Sequence, residues 1–114
     1  MHVTAEVRRG GGAARGSMVR RPIRVFGFRP HPGTLNAHLT APIVVGSEPV
    51  GWVDWFGGEY PWYRGTVDGR RCVVLGVEPE MSAGHKLELI AEVHLRSVLD
   101  VENGDLVTVE LEAS

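Results

Sequence analysis

Residues 30–40 read Pro30-His31-Pro32-Gly33-Thr34-Leu35-Asn36-Ala37-His38-Leu39-Thr40. A proline that presets φ, followed by a glycine free to take φ > 0, makes a tight turn whose backbone can approach a ligand closely. If the chain after Gly33 is extended, positions i and i+2 lie on one face, so the Thr34 hydroxyl and the Asn36 carboxamide oxygen point the same way. Such a pair can give two hard, neutral ligands to a magnesium ion carried in by phosphates. Spacing alone equally allows, and favours, a turn closed by Asx- or Thr-type hydrogen bonds to the backbone.

Outward from this stretch, fifteen glycines and seven prolines cut the chain into short pieces, most of them alternating or rich in β-branched residues. Strands are expected at His2–Arg8, Met18–Val25, Thr34–Leu39, Pro42–Val45, Val50–Trp55, Tyr63–Val67, Arg70–Val77, Lys86–Ala91 and Asp105–Leu111. Val67-Asp68-Gly69-Arg70 carries an Asp-Gly hairpin signal, and Glu102-Asn103-Gly104-Asp105 a second turn. One short helix is expected over Val93–Leu99, where apolar residues recur one turn apart. With 114 residues, one core and a single domain over 1–114 are expected. A small closed barrel, mainly β with one or two short helices, suits so many short strands because closure removes their edges.

Hydrophobic residues make up 43% and charged residues 23%, ordinary for a soluble globular chain, and no apolar run is long enough to span a bilayer. No secretory signal is read at the N-terminus, and a lone Cys72, which cannot form an internal disulfide, fits a reducing cytoplasm. The net charge of −2 hides an asymmetry. Up to Leu39, seven arginines face one acid, Glu6; beyond it, five basic residues face thirteen acidic ones. The basic part can attract an anion. No aromatic interleaves with the arginines before Phe26, so binding to nucleic acid is not expected. The histidines have no zinc-site spacing, and no nucleophile elbow surrounds a serine.

Two further segments bear on a ligand. Gly10-Gly11-Gly12-Ala13-Ala14-Arg15-Gly16 lacks bulky side chains and can aim backbone N–H groups at a phosphate beside a guanidinium, but it is neither a Walker loop nor a dinucleotide fingerprint. The cluster Trp52, Trp55, Phe56, Tyr60, Trp62 and Tyr63 can wall a planar ligand, although such clusters more often form core.

Taken together, Gly27-Phe28-Arg29-Pro30-His31-Pro32-Gly33-Thr34-Leu35-Asn36, the glycine-rich turn after the first strand, Leu87-Glu88-Leu89-Ile90-Ala91-Glu92-Val93-His94-Leu95-Arg96 and Asn103-Gly104-Asp105 resemble the archaeal-type CTP-dependent riboflavin kinases. The resemblance runs through nearly the whole chain. It implies a six-stranded cradle-loop barrel, related to the RIFT barrels, that moves the γ-phosphoryl of CTP to the 5′-hydroxyl of riboflavin and yields FMN and CDP. It also implies magnesium on Thr34 and Asn36, and nucleotide contacts at Gly10, Gly11, Gly12, Ala13, Ala14, Arg15, Val93, His94, Leu95 and Arg96. Flavin contacts are implied at Glu88 and at Glu80, which stands where the family has a threonine. A carboxylate cannot donate a hydrogen bond to a flavin oxygen unless protonated. A non-catalytic nucleotide- or flavin-binding module on the same barrel is the alternative. The expected protein is a cytoplasmic monomer with CTP and riboflavin as partners.

Overall fold

The computed structural model describes residues 1–9 and 25–112. Among these residues nine strands follow one another: β1 His2–Arg8, β2 Leu35–Leu39, β3 Ile43–Val44, β4 Gly51–Trp55, β5 Gly58–Val67, β6 Arg70–Leu75, β7 Glu80–Met81, β8 Lys86–Ile90 and β9 Leu106–Leu111, with the short helix α1, Leu95–Val98, between the last two. Six of them pair in the cyclic order β5, β6, β8, β2, β1, β9 and back to β5, every pairing antiparallel. The ring has no free edge, so it is the small, mainly β closed barrel that the strand pattern predicts, with the six strands that the resemblance implies.

Alternation explains what fills it. Ala5 and Val7 of β1, Leu35, Ala37 and Leu39 of β2, Cys72 and Val74 of β6, Leu87 and Leu89 of β8, and Val107, Val109 and Leu111 of β9 all belong to one buried cluster inside the ring. Their sequence neighbours therefore face outward. Burial pushes the Cys72 thiol up to about 12, so this interior sulfur is neither nucleophile nor metal ligand near neutrality. A second cluster lies on the outer face: Phe26, Val53, Trp55, Trp62, Val73, Leu75 and Ile90, with Phe28 packed against it.

Closure depends on one small residue. The C-terminal half of β5 pairs with β9 through Gly65↔Leu111, Thr66↔Glu110 and Val67↔Val109, while its N-terminal half pairs with β4. A Cβ at Gly65 would stand 2.2 Å from the Glu110 carbonyl oxygen, so only glycine lets the two strands meet.

Several boundaries differ from expectation for identifiable reasons. Most of the expected strand Met18–Val25 lies outside the described residues. β5 begins at Gly58, five residues before Tyr63. Gly57-Gly58 and Pro61 read as breakers, yet Phe56 (φ 52) and Gly57 (φ 82) form a tight β4–β5 turn, and Pro61 lies opposite Trp52 in the outer hairpin. β6 stops at Leu75 because Gly76 takes φ 92 against the Lys86 carbonyl. The two-residue strand β7, paired with β3, is too short to leave a periodic signal. Helix α1 is limited to four residues because His94 before it is extended (φ −75, ψ 95).

Gly65→Ala is expected to destabilise the fold by roughly 3 kcal/mol, the upper end of ordinary overpacking costs, because the obstacle is backbone. Urea denaturation of the wild type and the variant measures this.

Candidate functional site

The register of the ring lines up five outward-facing residues on adjacent strands. Arg8 of β1 pairs with Asn36 of β2, Asn36 with Glu88 of β8, Glu88 with Leu75 of β6, and Leu75 with Trp62 of β5. The row thus runs from a cation through an amide and a carboxylate to an apolar, aromatic end.

At its polar end Thr34 and Asn36 do share a face, as their spacing predicts. The Thr34 hydroxyl donates a hydrogen bond to Glu88 Oε2 at 3.0 Å. Asn36 is only 6% exposed, and its Oδ1 has no hydrogen-bond partner among the described residues. An unsatisfied buried amide oxygen is costly unless a ligand completes it. A hydroxyl that spends its proton on Glu88 keeps its lone pairs for an electropositive neighbour. Two neutral oxygens of this kind suit a hard cation delivered by phosphates. Among the described residues no group of three or more His, Cys, Asp or Glu could hold a metal ion.

The turn before β2 is stitched to the segment before α1. His31 N–H donates to the Ala91 carbonyl at 2.7 Å, and Gly33 N–H donates to His31 Nδ1 at 3.0 Å. The His31 and His94 rings lie 5.1 Å apart, and His94 Nδ1 is 2.6 Å from the Ser97 hydroxyl. The Arg96 guanidinium donates to the Arg8 carbonyl at 3.3 Å, which brings α1 to the end of β1. Of the four residues expected from the resemblance to meet a nucleotide, Val93 is exposed, His94 and Arg96 are partly exposed, and Leu95 is 1% exposed with its side chain in the core. Leu95 can therefore meet a ligand only through its backbone. Gly10, Gly11, Gly12, Ala13, Ala14 and Arg15 lie outside the described residues.

At the apolar end a cavity of about 280 Å³ is lined by Trp55, Phe56, Tyr60, Leu75, Gly76, Lys86 and Glu88. Three aromatic side chains wall it and two charged ones, Lys86 and Glu88, face into it, a lining that can take a planar ring. The Trp55 indole N–H donates to Glu88 Oε2 at 3.1 Å, so one carboxylate oxygen serves both ends of the row. Three members of the aromatic cluster singled out in the sequence, Trp55, Phe56 and Tyr60, form this wall, whereas Trp62 and Tyr63 are buried in the two cores. Phe56, a non-glycine residue with positive φ, is held at the cavity edge in a conformation that costs energy. Glu80 sits elsewhere, opposite Val44 on the β3–β7 ribbon and beside Pro42, Ile43 and Ser82. A larger cavity of about 660 Å³ reaches Phe26, Phe28, Arg64, Arg71 and Val93. The smaller one is the stronger candidate because it shares Glu88 with Thr34.

Sequence reasoning overlooked Lys86, His31 and Arg8. Lys86 precedes Glu88 by two on a strand and so shares its face, a signal that was available. The pairing of Arg8 with Asn36 depends on a register that no local pattern reveals.

Against known proteins, a family model labelled CTP-dependent riboflavin kinase, and described as a domain of unknown function, DUF120, matches residues 16–111. A riboflavin kinase of Methanocella arvoryzae is 32% identical over 93 residues, covering 76% of this chain and 44% of that protein. A riboflavin kinase of Methanococcoides burtonii is 37% identical over 99 residues, with the same two coverages, 76% and 44%. The chain thus spans less than half the length of these relatives.

A Cβ at Gly33 would lie 2.8 Å from His94 Cδ2, a side-chain atom that can move. Gly33→Ala is therefore expected to cost less than about 1 kcal/mol of stability while displacing the imidazole. Thermal unfolding and the His94 ring resonances in NMR spectra check the two halves of that statement.

Proposed function

The chain belongs to the CTP-dependent riboflavin kinase family, and on that footing we propose that it transfers the γ-phosphoryl of CTP to the 5′-hydroxyl of riboflavin, giving FMN and CDP. The observation that carries this reading is the outer-face row, in which a buried, unpartnered Asn36 oxygen and the Thr34 hydroxyl stand beside an aromatic cavity across Glu88. One end suits a metal–phosphate group and the other a planar ring. The reaction joins those two kinds of substrate.

In this reading Thr34 and Asn36 would hold magnesium, which when bound offsets the charge of the transferring phosphates. Gly10, Gly11, Gly12, Ala13, Ala14 and Arg15 would contact the nucleotide through backbone N–H groups and a guanidinium, together with Val93, His94, the Leu95 backbone and Arg96. Glu88 would meet riboflavin through Oε1, since Oε2 already accepts from Thr34 and Trp55. In the transfer, the riboflavin 5′-oxygen gains the bond to the γ-phosphorus, the bond from that phosphorus to the β-phosphate oxygen of the departing CDP breaks, and the hydroxyl proton passes to a phosphate oxygen or to water. Alignment and charge neutralisation supply most of the catalysis in such transfers, so a strong dedicated base is not required. Neutral metal ligands leave most of the attraction to the nucleotide, so magnesium alone should bind poorly.

Glu80, which stands opposite Val44 on the β3–β7 ribbon, is the other proposed flavin contact. The second reading is a non-catalytic nucleotide- or flavin-binding or regulatory module on the same barrel. The proposed protein is cytoplasmic and monomeric. Among the described residues no helix is long and apolar enough to cross a membrane.

Purified protein incubated with riboflavin, magnesium and CTP is expected to form FMN, resolved by chromatography, with ATP a much poorer donor. No FMN with either nucleotide from folded protein would contradict the kinase reading and leave the binding module. Asn36→Ala should weaken magnesium-dependent CTP binding by about tenfold or more, the scale of one hydrogen bond or contact to a charged group, with the fold intact by circular dichroism.

A further inference from the structure

Glu88 Oε2 accepts two hydrogen bonds, one from Thr34 in the turn before β2 and one from the indole of Trp55 at the end of β4. Trp55 is 5% exposed, packs against Phe26 and Phe56 with ring centroids 6.2 Å and 5.2 Å away, and lines the aromatic cavity. We propose that Trp55 is a positioning residue: its indole N–H fixes the Glu88 carboxylate, which fixes the Thr34 hydroxyl, so that the aromatic cavity and the Thr34–Asn36 site are energetically coupled. What fills each end rests on the kinase reading; the coupling itself rests on the shared oxygen.

The chemistry gives the coupling its direction. A hydroxyl has one proton and two lone pairs, and while the proton is held by Glu88 the lone pairs are available on the side shared with Asn36. Without its indole partner the carboxylate is free to rotate. Thr34 then loses a fixed acceptor, and presenting its oxygen to a cation incurs an ordering cost. A ligand seated against Phe56 and Tyr60 presses on the same hairpin that carries Trp55, so it orders Glu88 before a nucleotide arrives. Linkage then requires the converse: a bound nucleotide strengthens ligand binding in the cavity by the same factor. Lys86, which also lines the cavity, is the other charged group beside Glu88 there.

The test is calorimetric titration of magnesium–CDP into wild type, Trp55→Phe and Val53→Ala, without and with saturating riboflavin, each below its measured unfolding midpoint. Val53 belongs to the same outer cluster, and its truncation removes packing without touching Glu88. Trp55→Phe is expected to weaken magnesium–CDP binding about fivefold without riboflavin, less than Asn36→Ala because Trp55 acts only through Glu88 and Thr34, and on the scale of one ordinary hydrogen bond. It should also abolish the tightening by riboflavin seen in wild type. Val53→Ala should stay within about twofold of wild type on both measures, a difference that a purely structural role for Trp55 would not produce. Trp55→Leu, which keeps apolar bulk and has no hydrogen-bond donor, serves if the Phe variant folds poorly. Unchanged affinity and coupling in the Trp55 variants, or equal losses in Val53→Ala, would overturn the coupling. Wild-type protein that binds no magnesium–CDP and forms no FMN would overturn the kinase reading and the coupling with it.

Discussion

Closure of a six-stranded ring filled with aliphatic side chains decides where this protein can do chemistry. Inside, Val7, Leu35, Ala37, Leu87, Leu89, Val107 and Val109 pack into one buried, largely apolar cluster with no charged group to offer a substrate. Because side chains alternate, the polar residues of β2 and β8 must stand on the outer face, and the register of the ring decides which of them become neighbours. The seam between β5 and β9, open only to Gly65, completes the ring and so fixes that register. A slip of one residue would drive Asn36 and Glu88 into the apolar interior, where unpaired polar groups cost several kcal/mol on the order expected for an amide and more for a carboxylate.

Given this constraint, the outer face carries a gradient. Arg8 and Arg96 converge at one end, Asn36 and Thr34 follow, Glu88 stands in the middle, and Trp55, Phe56, Tyr60 and Leu75 make the other end. Glu88 is the junction, since its Oε2 is the one atom reached from both sides. The His31–Gly33 and His94–Ser97 contacts brace the polar end, while the β4–β5 hairpin, with its strained Phe56 turn, builds the aromatic end. A phosphate-bearing ligand and a planar one can thus be held side by side on the outer face of the ring.

Much of this was legible in the sequence because its causes are local. The alternation of His2–Arg8 gave the strand its full extent, Asp68-Gly69 marked the β5–β6 turn, and the i, i+2 spacing of Thr34 and Asn36 placed both on one face. What escaped depends on contacts between distant segments. β5 extends through Pro61 only because β4 pairs with it, and Trp55 meets Glu88 across 33 residues of chain. The aromatic cluster was visible as composition, but only the fold divides it into cavity wall and core. Lys86 was within reach of the same alternation argument that found Thr34 and Asn36.

The central claim is that one outer-face row receives both ligands, and residue-resolved NMR titration tests it most directly. Riboflavin should shift the amides of Phe56, Gly76 and Glu88, magnesium–CDP those of Gly33, Asn36 and Arg96, and both should shift the Trp55 indole N–H. Shifts gathered instead around β3 and β7, or around Arg64 and Arg71, with the row undisturbed, would contradict it.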